Sequence, residues 1–295
     1  MAMVQMRHGE PLNDVTPWLK DIDVLRWSAR QEGVLFFRNL LDAEKVNALR
    51  SQILSVCDKH GWLEKGTSPE SGIANPDAMV VESRDPRWMA FYDDVQRIRD
   101  FHALALDPAI ITVLEALFGE AVLPHSRNIC RVVFPDSASH STPPHQDNLY
   151  IGGSEQTWTV WIPCGDIPES LGGLAVGKAT HRLGRLEDVK AQGPGGRQVV
   201  VDDDVVWVHG DYASGDAIFL HSLTVHQGCD NLSGDRLRLS LDYRYQPRSH
   251  PVRSDSLLPH MGWLTWDEVY DGWEEDDPVR RYWEGYELNV FEREA

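Results

Sequence analysis

Long hydrophobic runs are missing from this 295-residue sequence. No window approaches the roughly eighteen consecutive apolar residues of a bilayer-spanning helix. Basic residues are scarce: Lys and Arg number 28 against 46 Asp and Glu, a formal net charge of −18. A surface of that sign repels the phosphates of nucleic acid and of anionic membranes, so neither is an expected partner. Cysteine is scarce as well. Cys57, Cys130, Cys164 and Cys229 lie far apart with no C-x-x-C pair, which removes zinc knuckles and redox dithiols and leaves buried or half-buried thiols. The opening MAMVQMRHGEPLNDV has no apolar signal-peptide core, so a cytoplasmic location is expected. Internal repeats and flexible linkers are missing too, which reads as one domain over residues 1–295. At 42% hydrophobic residues the chain is too apolar for disorder. A small-molecule partner fits this profile best; the oligomeric state stays open, a homodimer included.

What is present divides into three stretches. Residues 17–119 carry helical signals. Trp18, Ile22, Leu25 and Ala29 recur at steps of three and four before Gly33, predicting a helix from about Pro17 to Arg30. Val34–Phe37 reads as a strand. Asp42 is placed to cap a helix through Val46, Leu49, Ile53 and Val56, and Asp107-Pro108 to open another that stops at Gly119. Residues 66–77 read as loop. From about 121 to 247 the texture becomes β: Ile129–Phe134, Trp158–Ile162, Leu174–Val176, Val199–Val201, Val205–Val208, Ala217–Leu220 and Leu237–Tyr245, separated by Gly-rich turns. Helices first and short strands later argue for an α+β fold, mainly β, with a sandwich or barrel core. The third stretch, about 255–295, is acidic and rich in Trp. Its part from 265 onward holds eleven acids and three bases.

Chemistry is sought first in a histidine two residues from a carboxylate. On one strand such a pair shares a face and can present both groups to one ion. With 12 histidines, roughly two such triplets arise by chance. There are three: His8-Gly9-Glu10, His145-Gln146-Asp147 and His209-Gly210-Asp211. The first lies in an unpatterned arm and reads as a solvated pair, and the third follows a strand in a turn. His209 ends the strand before it, where polar residues are ordinary, so that triplet reads as structural. His145-Gln146-Asp147 follows Thr142-Pro143-Pro144, an extended entry, and precedes Leu149-Tyr150-Ile151, a run suited to sheet. Further on stand His221 and His226, and then Arg238-Leu239-Ser240, whose first and last members share a strand face. An arginine grips a carboxylate with two parallel hydrogen bonds, and a hydroxyl in phase adds a third.

Taken with Pro143-Pro144-His145-Gln146-Asp147, the stretch from Trp161 through Gly173 to His181, and Gly215-Asp216…His226…Asn231…Arg238-x-Ser240, the chain resembles the phytanoyl-CoA dioxygenase family of Fe(II)/2-oxoglutarate-dependent oxygenases. Within it, the flavour is that of the bacterial branch that hydroxylates small molecules in secondary metabolism. The resemblance implies a double-stranded β-helix (a jelly-roll, cupin-like core) flanked by the N-terminal helices. It implies Fe(II) held by His145, Asp147 and His226, and the far carboxylate of the co-substrate 2-oxoglutarate held by Arg238 with Ser240 nearby. Trp161 falls where the family often has a Trp behind the metal; as a buried aromatic it also reads as core. His226 is preferred to His221, and Arg238 to Arg236, by position. Arg127, Asn128 and Arg131 are expected near the mouth, without an assigned role.

The reaction implied consumes O2 and 2-oxoglutarate and hydroxylates an unactivated C–H bond. A carboxylate at Asp147 speaks against halogenation, which needs that position small. Desaturation, cyclisation or epimerisation on the same scaffold is the alternative. A metal-binding cupin-like sensor or isomerase without oxygenase activity is the alternative of another class, disfavoured by the Arg238–Ser240 pair. The loop 184–197 and the tail Trp263, Trp266 and Trp273 are candidate covers for the substrate. The overall acidity favours a neutral or cationic substrate over a CoA thioester.

Overall fold

The computed structural model describes residues 10–80, 85–136 and 141–292, so His8 lies outside the described residues. In chain order the elements are β1 (Glu10–Pro11), α1 (Ile22–Glu32), β2 (Val34–Phe37), α2 (Ala43–Lys59), α3 (Pro86–Gln96), α4 (Arg99–Ala103), α5 (Pro108–Phe118), β3 (Val122–Pro124) and β4 (Ile129–Val133). There follow α6 (Asn148–Ile151), β5 (Trp158–Pro163), β6 (Leu174–Gly177), β7 (Asp188–Lys190), β8 (Arg197–Val199), β9 (Trp207–His209), β10 (Ala217–His221), β11 (His226–Gly228), β12 (Arg238–Pro247), β13 (Val252–Arg253), α7 (Trp266–Val269) and β14 (Val290–Phe291). Helices hold about as much of the chain as strands. The architecture is therefore mixed rather than mainly β.

Local chemistry sets the helix ends. Asp42 and Asp107 accept hydrogen bonds from the amides of Glu44 and Ala109, both at 2.9 Å, satisfying donors that the first turn leaves open. Asp21 does the same for Val24. The first helix thus begins at Ile22 rather than near Pro17, and Trp18 lies in a separate, exposed 3-10 turn. Gly33 ends α1 at φ 68°. A side chain there would also run into the His181 ring and the Thr224 hydroxyl, so only glycine fits.

The larger sheet has the order β2-β10-β5-β12-β3, with β4 also paired to β12, and every pairing is antiparallel. The smaller sheet runs β1-β9-β6-β11. Alternation along the strands divides the core. Leu35, Phe37, Val160, Ile162, Phe219, Leu239, Leu241, Tyr243 and Tyr245 pack with the helices: Leu25 and Ala29 of α1, Leu49 and Ile53 of α2, Phe91 of α3, and Leu114 of α5. The alternate residues Phe36, Trp161, Ile218 and Leu220 meet Leu174, Val176 and Val208 of the smaller sheet. The site lies between the sheets, beyond this second cluster.

One stretch, Arg99–Phe118, has the length and apolarity of a membrane helix. It is interrupted at Asp107-Pro108, and Phe101, Ile110 and Leu114 are fully buried in the helix-side core. Trp266, Tyr270 and Trp283 of the tail pack on one another and on Leu123 and Val252. Trp273 donates to the Arg97 carbonyl at 2.9 Å, and Trp263 packs edge-on against Trp88. These tryptophans fix the tail to the body of the fold.

Candidate metal centre

His145 and His226 are joined by their own backbones: each amide donates to the other's carbonyl, at 2.9 and 3.0 Å. Each ring is then turned by a local carbonyl. His145 Nδ1 lies 2.8 Å from the Pro143 oxygen, and His226 Nδ1 lies 3.0 Å from the Thr224 oxygen. With the Nδ1 proton given to a carbonyl, each Nε2 is left as a lone-pair donor. Gln146, between His145 and Asp147, donates to the Gly184 and Leu223 carbonyls and accepts from the Leu186 amide. That ties the segment to the loop at 184–186.

Asp147 does not continue a strand. Its backbone is already helical, its carbonyl accepts from the Tyr150 and Ile151 amides, and Asn148–Ile151 forms a single helical turn in place of the expected sheet. The Thr159 hydroxyl donates to Oδ2, while Oδ1 faces His145 Nε2 at 3.6 Å and His226 Nε2 at 3.9 Å. Ligand atoms of the three residues all lie within 4.8 Å of one another, and each residue is at most 5% exposed.

Electrostatics suit a divalent cation. Burial alone would raise the Asp147 carboxyl, but the Arg244 guanidinium and the His145 hydrogen bond outweigh it and hold it well below the usual range. Burial, helped by His145 and opposed by Asp147, pushes His226 down to about 4. At neutral pH the site therefore presents an ionised carboxylate and a neutral imidazole at His226. Two imidazole nitrogens and one carboxylate oxygen on one side of an ion leave its other positions open, which fits Fe(II) of the facial-triad kind.

The second half of the site is the inner face of β12. Arg238 is 3% exposed and its Nη1 donates to Ser240 Oγ at 2.7 Å. Thr142, His145, Thr159, Trp161, His226 and Arg238 line one narrow cavity, so the two imidazoles and the Arg238 guanidinium open onto the same space, with the Asp147 carboxylate against the imidazoles. Trp161 stands opposite Asp242 on β5 and packs against Tyr212 with ring centroids 5.0 Å apart.

The competing residues lie elsewhere. His221 packs against Trp158 and His181 and faces a separate cleft of about 860 Å3, which none of His145, Asp147 and His226 lines. Arg236 is exposed and pairs with Asp235. His209 faces Glu169, whose amide donates to Asp211, a structural use.

Three contributors escape the sequence reading. Arg244 Nη2 reaches Asp147 Oδ1 at 3.3 Å, Asp242 pairs with Arg131 at 2.8 Å, and Thr159 orients the Asp147 carboxylate. The signal for the first two is visible in the sequence. Arg238, Ser240, Asp242, Arg244 and Gln246 alternate with Leu239, Leu241, Tyr243 and Tyr245, and a strand buried on both faces yet polar on one is a strand that lines a site. Of the three residues left without a role, Arg131 lines the cavity, Asn128 turns to His102 on the helix side, and Arg127 donates to the Asp255 carbonyl at 3.1 Å.

With this geometry described, comparison with known proteins gives the class. The family model of phytanoyl-CoA dioxygenase (PhyH) matches residues 29–239, and the chain belongs to that family. It is 28% identical over 263 residues to the 1-deoxypentalenic acid 11-beta-hydroxylase of Streptomyces arenae, covering 83% of this chain and 88% of that one. The enzyme of the same name from Streptomyces exfoliatus is 27% identical. Among solved structures, the non-heme alpha ketoglutarate dependent carbocyclase SnoK of nogalamycin biosynthesis superposes with a TM-score of 0.57 at 19% identity, over 83% of this chain and 92% of that one. The epimerase SnoN, in complex with Fe3+, alpha ketoglutarate and nogalamycin RO, superposes at 0.55 and 20%, over 79% and 86%. At these identities the two structures show a shared fold.

Proposed function

We propose that the chain is an Fe(II)- and 2-oxoglutarate-dependent dioxygenase that hydroxylates an unactivated C–H bond of a small molecule in secondary metabolism. His145, Asp147 and His226 would hold the metal, and Arg238 with Ser240 the far carboxylate of 2-oxoglutarate, with Trp161 behind them. The two sheets are read as a double-stranded β-helix, a jelly roll within one domain over residues 1–295. One observation carries the reading: two Nε2-presenting imidazoles, with the buried Asp147 carboxylate against them, share a cavity with a buried arginine. A cupin-like sensor or isomerase has no use for that arginine. Bound iron and 2-oxoglutarate would supply the oxidising chemistry from O2, with succinate and CO2 as co-products. The chain's part is to orient: the carbonyls of Pro143 and Thr224 set the imidazoles, Thr159 and Arg244 set the carboxylate, and the buried surround keeps bulk water out.

Succinate formation that needs both Fe(II) and 2-oxoglutarate is the expected result with purified protein. Its absence under anaerobic reconstitution followed by O2 would remove the proposal. The fold shared with an epimerase and a carbocyclase supports a second outcome on the same scaffold, and product mass separates them. Hydroxylation adds one oxygen, epimerisation changes nothing, and ring closure removes two hydrogens.

A further inference from the structure

Two cavities lie back to back on the larger sheet. Alternation along β5 and β10 turns Thr159 and Leu220 toward the metal cavity, and their chain neighbours Trp158 and His221 toward the cleft of about 860 Å3 on the helix side. That cleft is walled by α1 and the end of α5. Its floor is Trp158, Ala29 and Pro247, all buried, with Leu117 and Phe118 partly buried beside them. The volume suits one small ligand.

The polar groups around this floor are nearly all of one kind. Arg26 and Arg30 stand one helical turn apart on α1, and neither has an ion-pair partner among the described residues. Like charges at that spacing repel. The chain has 46 acids for 28 bases, so the lack of partners is not a shortage of acids. The carbonyls of Ala116 and Leu117 hold the Arg26 guanidinium in place at 2.7 and 3.3 Å, while Arg30 is exposed. His221 Nδ1 accepts from the Leu223 amide at 3.2 Å, which leaves the ring proton on Nε2. Burial, helped by His181, pushes His221 down to about 4, so the ring is neutral at pH 7. Glu120, the acid on this lining, has its two oxygens taken by the amide and hydroxyl of Ser249, at 3.1 and 2.9 Å. What is left over is a set of donors above an aromatic and aliphatic floor: Arg30, the third nitrogen of Arg26, and the Nε2 proton of His221.

We infer that this cleft is a second ligand site, apart from the metal centre, for a phosphate monoester with a flat apolar body. A phosphate presents three acceptor oxygens and up to two charges to two guanidiniums and an imidazole N–H; a carboxylate is satisfied by one guanidinium. The ligand is not the molecule oxidised, because the sheet stands between it and the metal ligands. It would nevertheless rest on Trp158 and His221, each joined to a residue that fixes the metal segment. Thr159 donates to the Asp147 carboxylate, and the Ser222 carbonyl accepts from the Asn148 amide at 3.0 Å. The site does not depend on the oxygenase reading.

Isothermal titration of the purified protein tests this. The probes are 4-nitrophenyl, 1-naphthyl and 4-biphenylyl phosphate, each compared with its parent phenol, with the carboxylate on the same ring and with inorganic phosphate. At least one monoester should bind about tenfold or more tighter than all three of its comparators. No binding by any monoester, or equal binding by the phenol or by inorganic phosphate, would overturn the site, and equal binding by the carboxylate would overturn the ligand class. Because the chain as a whole is acidic, general attraction of anions does not produce the expected order. Arg30→Gln should weaken binding of that monoester about tenfold to a hundredfold, and Arg30→Lys should fall between, since it keeps the charge and loses the fork. Arg30 is exposed and unpaired, so its replacement should leave the melting temperature of the ligand-free protein unmoved. An unchanged affinity in Arg30→Gln, or a loss in Arg238→Gln instead, would place the phosphate elsewhere and end the proposal.

Discussion

The two faces of β12 are equally withdrawn from water and built from opposite chemistry. Its ten residues are all buried. Leu239, Leu241, Tyr243 and Tyr245 join the helix-side core, whereas Arg238, Ser240, Asp242, Arg244 and Gln246 form a polar row toward the smaller sheet. The apolar face contributes stability through area removed from water. The polar face forgoes that gain and must satisfy its groups one by one: Arg238 with Ser240, Asp242 with Arg131, Arg244 with Asp147, Gln246 with His125. A strand with one face of each kind separates what holds the fold from what performs the chemistry, and substitution can test how complete the separation is.

The largest effect is expected at the residues this polar row supports. Asp147→Ala or His226→Ala should abolish succinate formation and Fe(II) binding while far-UV circular dichroism stays native; full activity in either would end the metal assignment. Next, Arg238→Ala should raise the KM for 2-oxoglutarate by about thirtyfold or more, since truncating one side of a buried charged contact costs about 2–5 kcal/mol. Iron binding, followed by isothermal titration, should persist. On the other face, Leu241→Ala should cost about 2–5 kcal/mol in chemical denaturation and leave the KM for 2-oxoglutarate unmoved. A large KM change there would mean that the faces are coupled.

A pH effect should appear on both sides alike. Burial depresses His102, on the helix side, and His125, on the polar side, each to about 4. A neutral buried histidine contributes stability that is fully present above the unfolded value near 6.5 and is lost as pH falls from there through about 4. Each should give a slope of up to about 1.4 kcal/mol per pH unit in that window. Denaturation of the metal-free protein between these limits should show the loss, and His125→Gln should flatten it by one proton. The smallest effect is expected for Tyr243→Phe. It removes the 2.8 Å hydrogen bond to the Phe101 carbonyl and should cost about 1 kcal/mol with turnover intact.

The sequence was most readable where a residue does its work locally. Asp42, Asp107, Gly33 and Gly119 mark helix ends by their own backbone chemistry, and Val34–Phe37, Trp158–Ile162 and Ala217–Leu220 read as strands from short apolar runs. The helix α3 was open to the same reasoning: Asp85-Pro86 begins it as Asp107-Pro108 begins α5, and Trp88, Phe91, Tyr92 and Val95 repeat at helical spacing. The reading of the sequence passes over it. At the site, the set His145, Asp147, His226, Arg238 and Ser240 came from the resemblance of their motifs to the phytanoyl-CoA dioxygenase family, but the reason given for His145 and Asp147 sharing a face does not hold, because the chain turns helical at Asp147. The partners that orient this set come from far along the chain. Arg244 is 97 residues from Asp147.

The reciprocal backbone bridge between His145 and His226 has a consequence for how the protein acquires its metal. Two of the three proposed ligands are held in register by main-chain hydrogen bonds that form when the chain folds, and their rings are turned by carbonyls two residues away. Loading is then a docking event on a finished seat rather than a folding event. Little chain entropy is lost when the ion arrives, and the ion can depart and return with the polypeptide already in place to receive it.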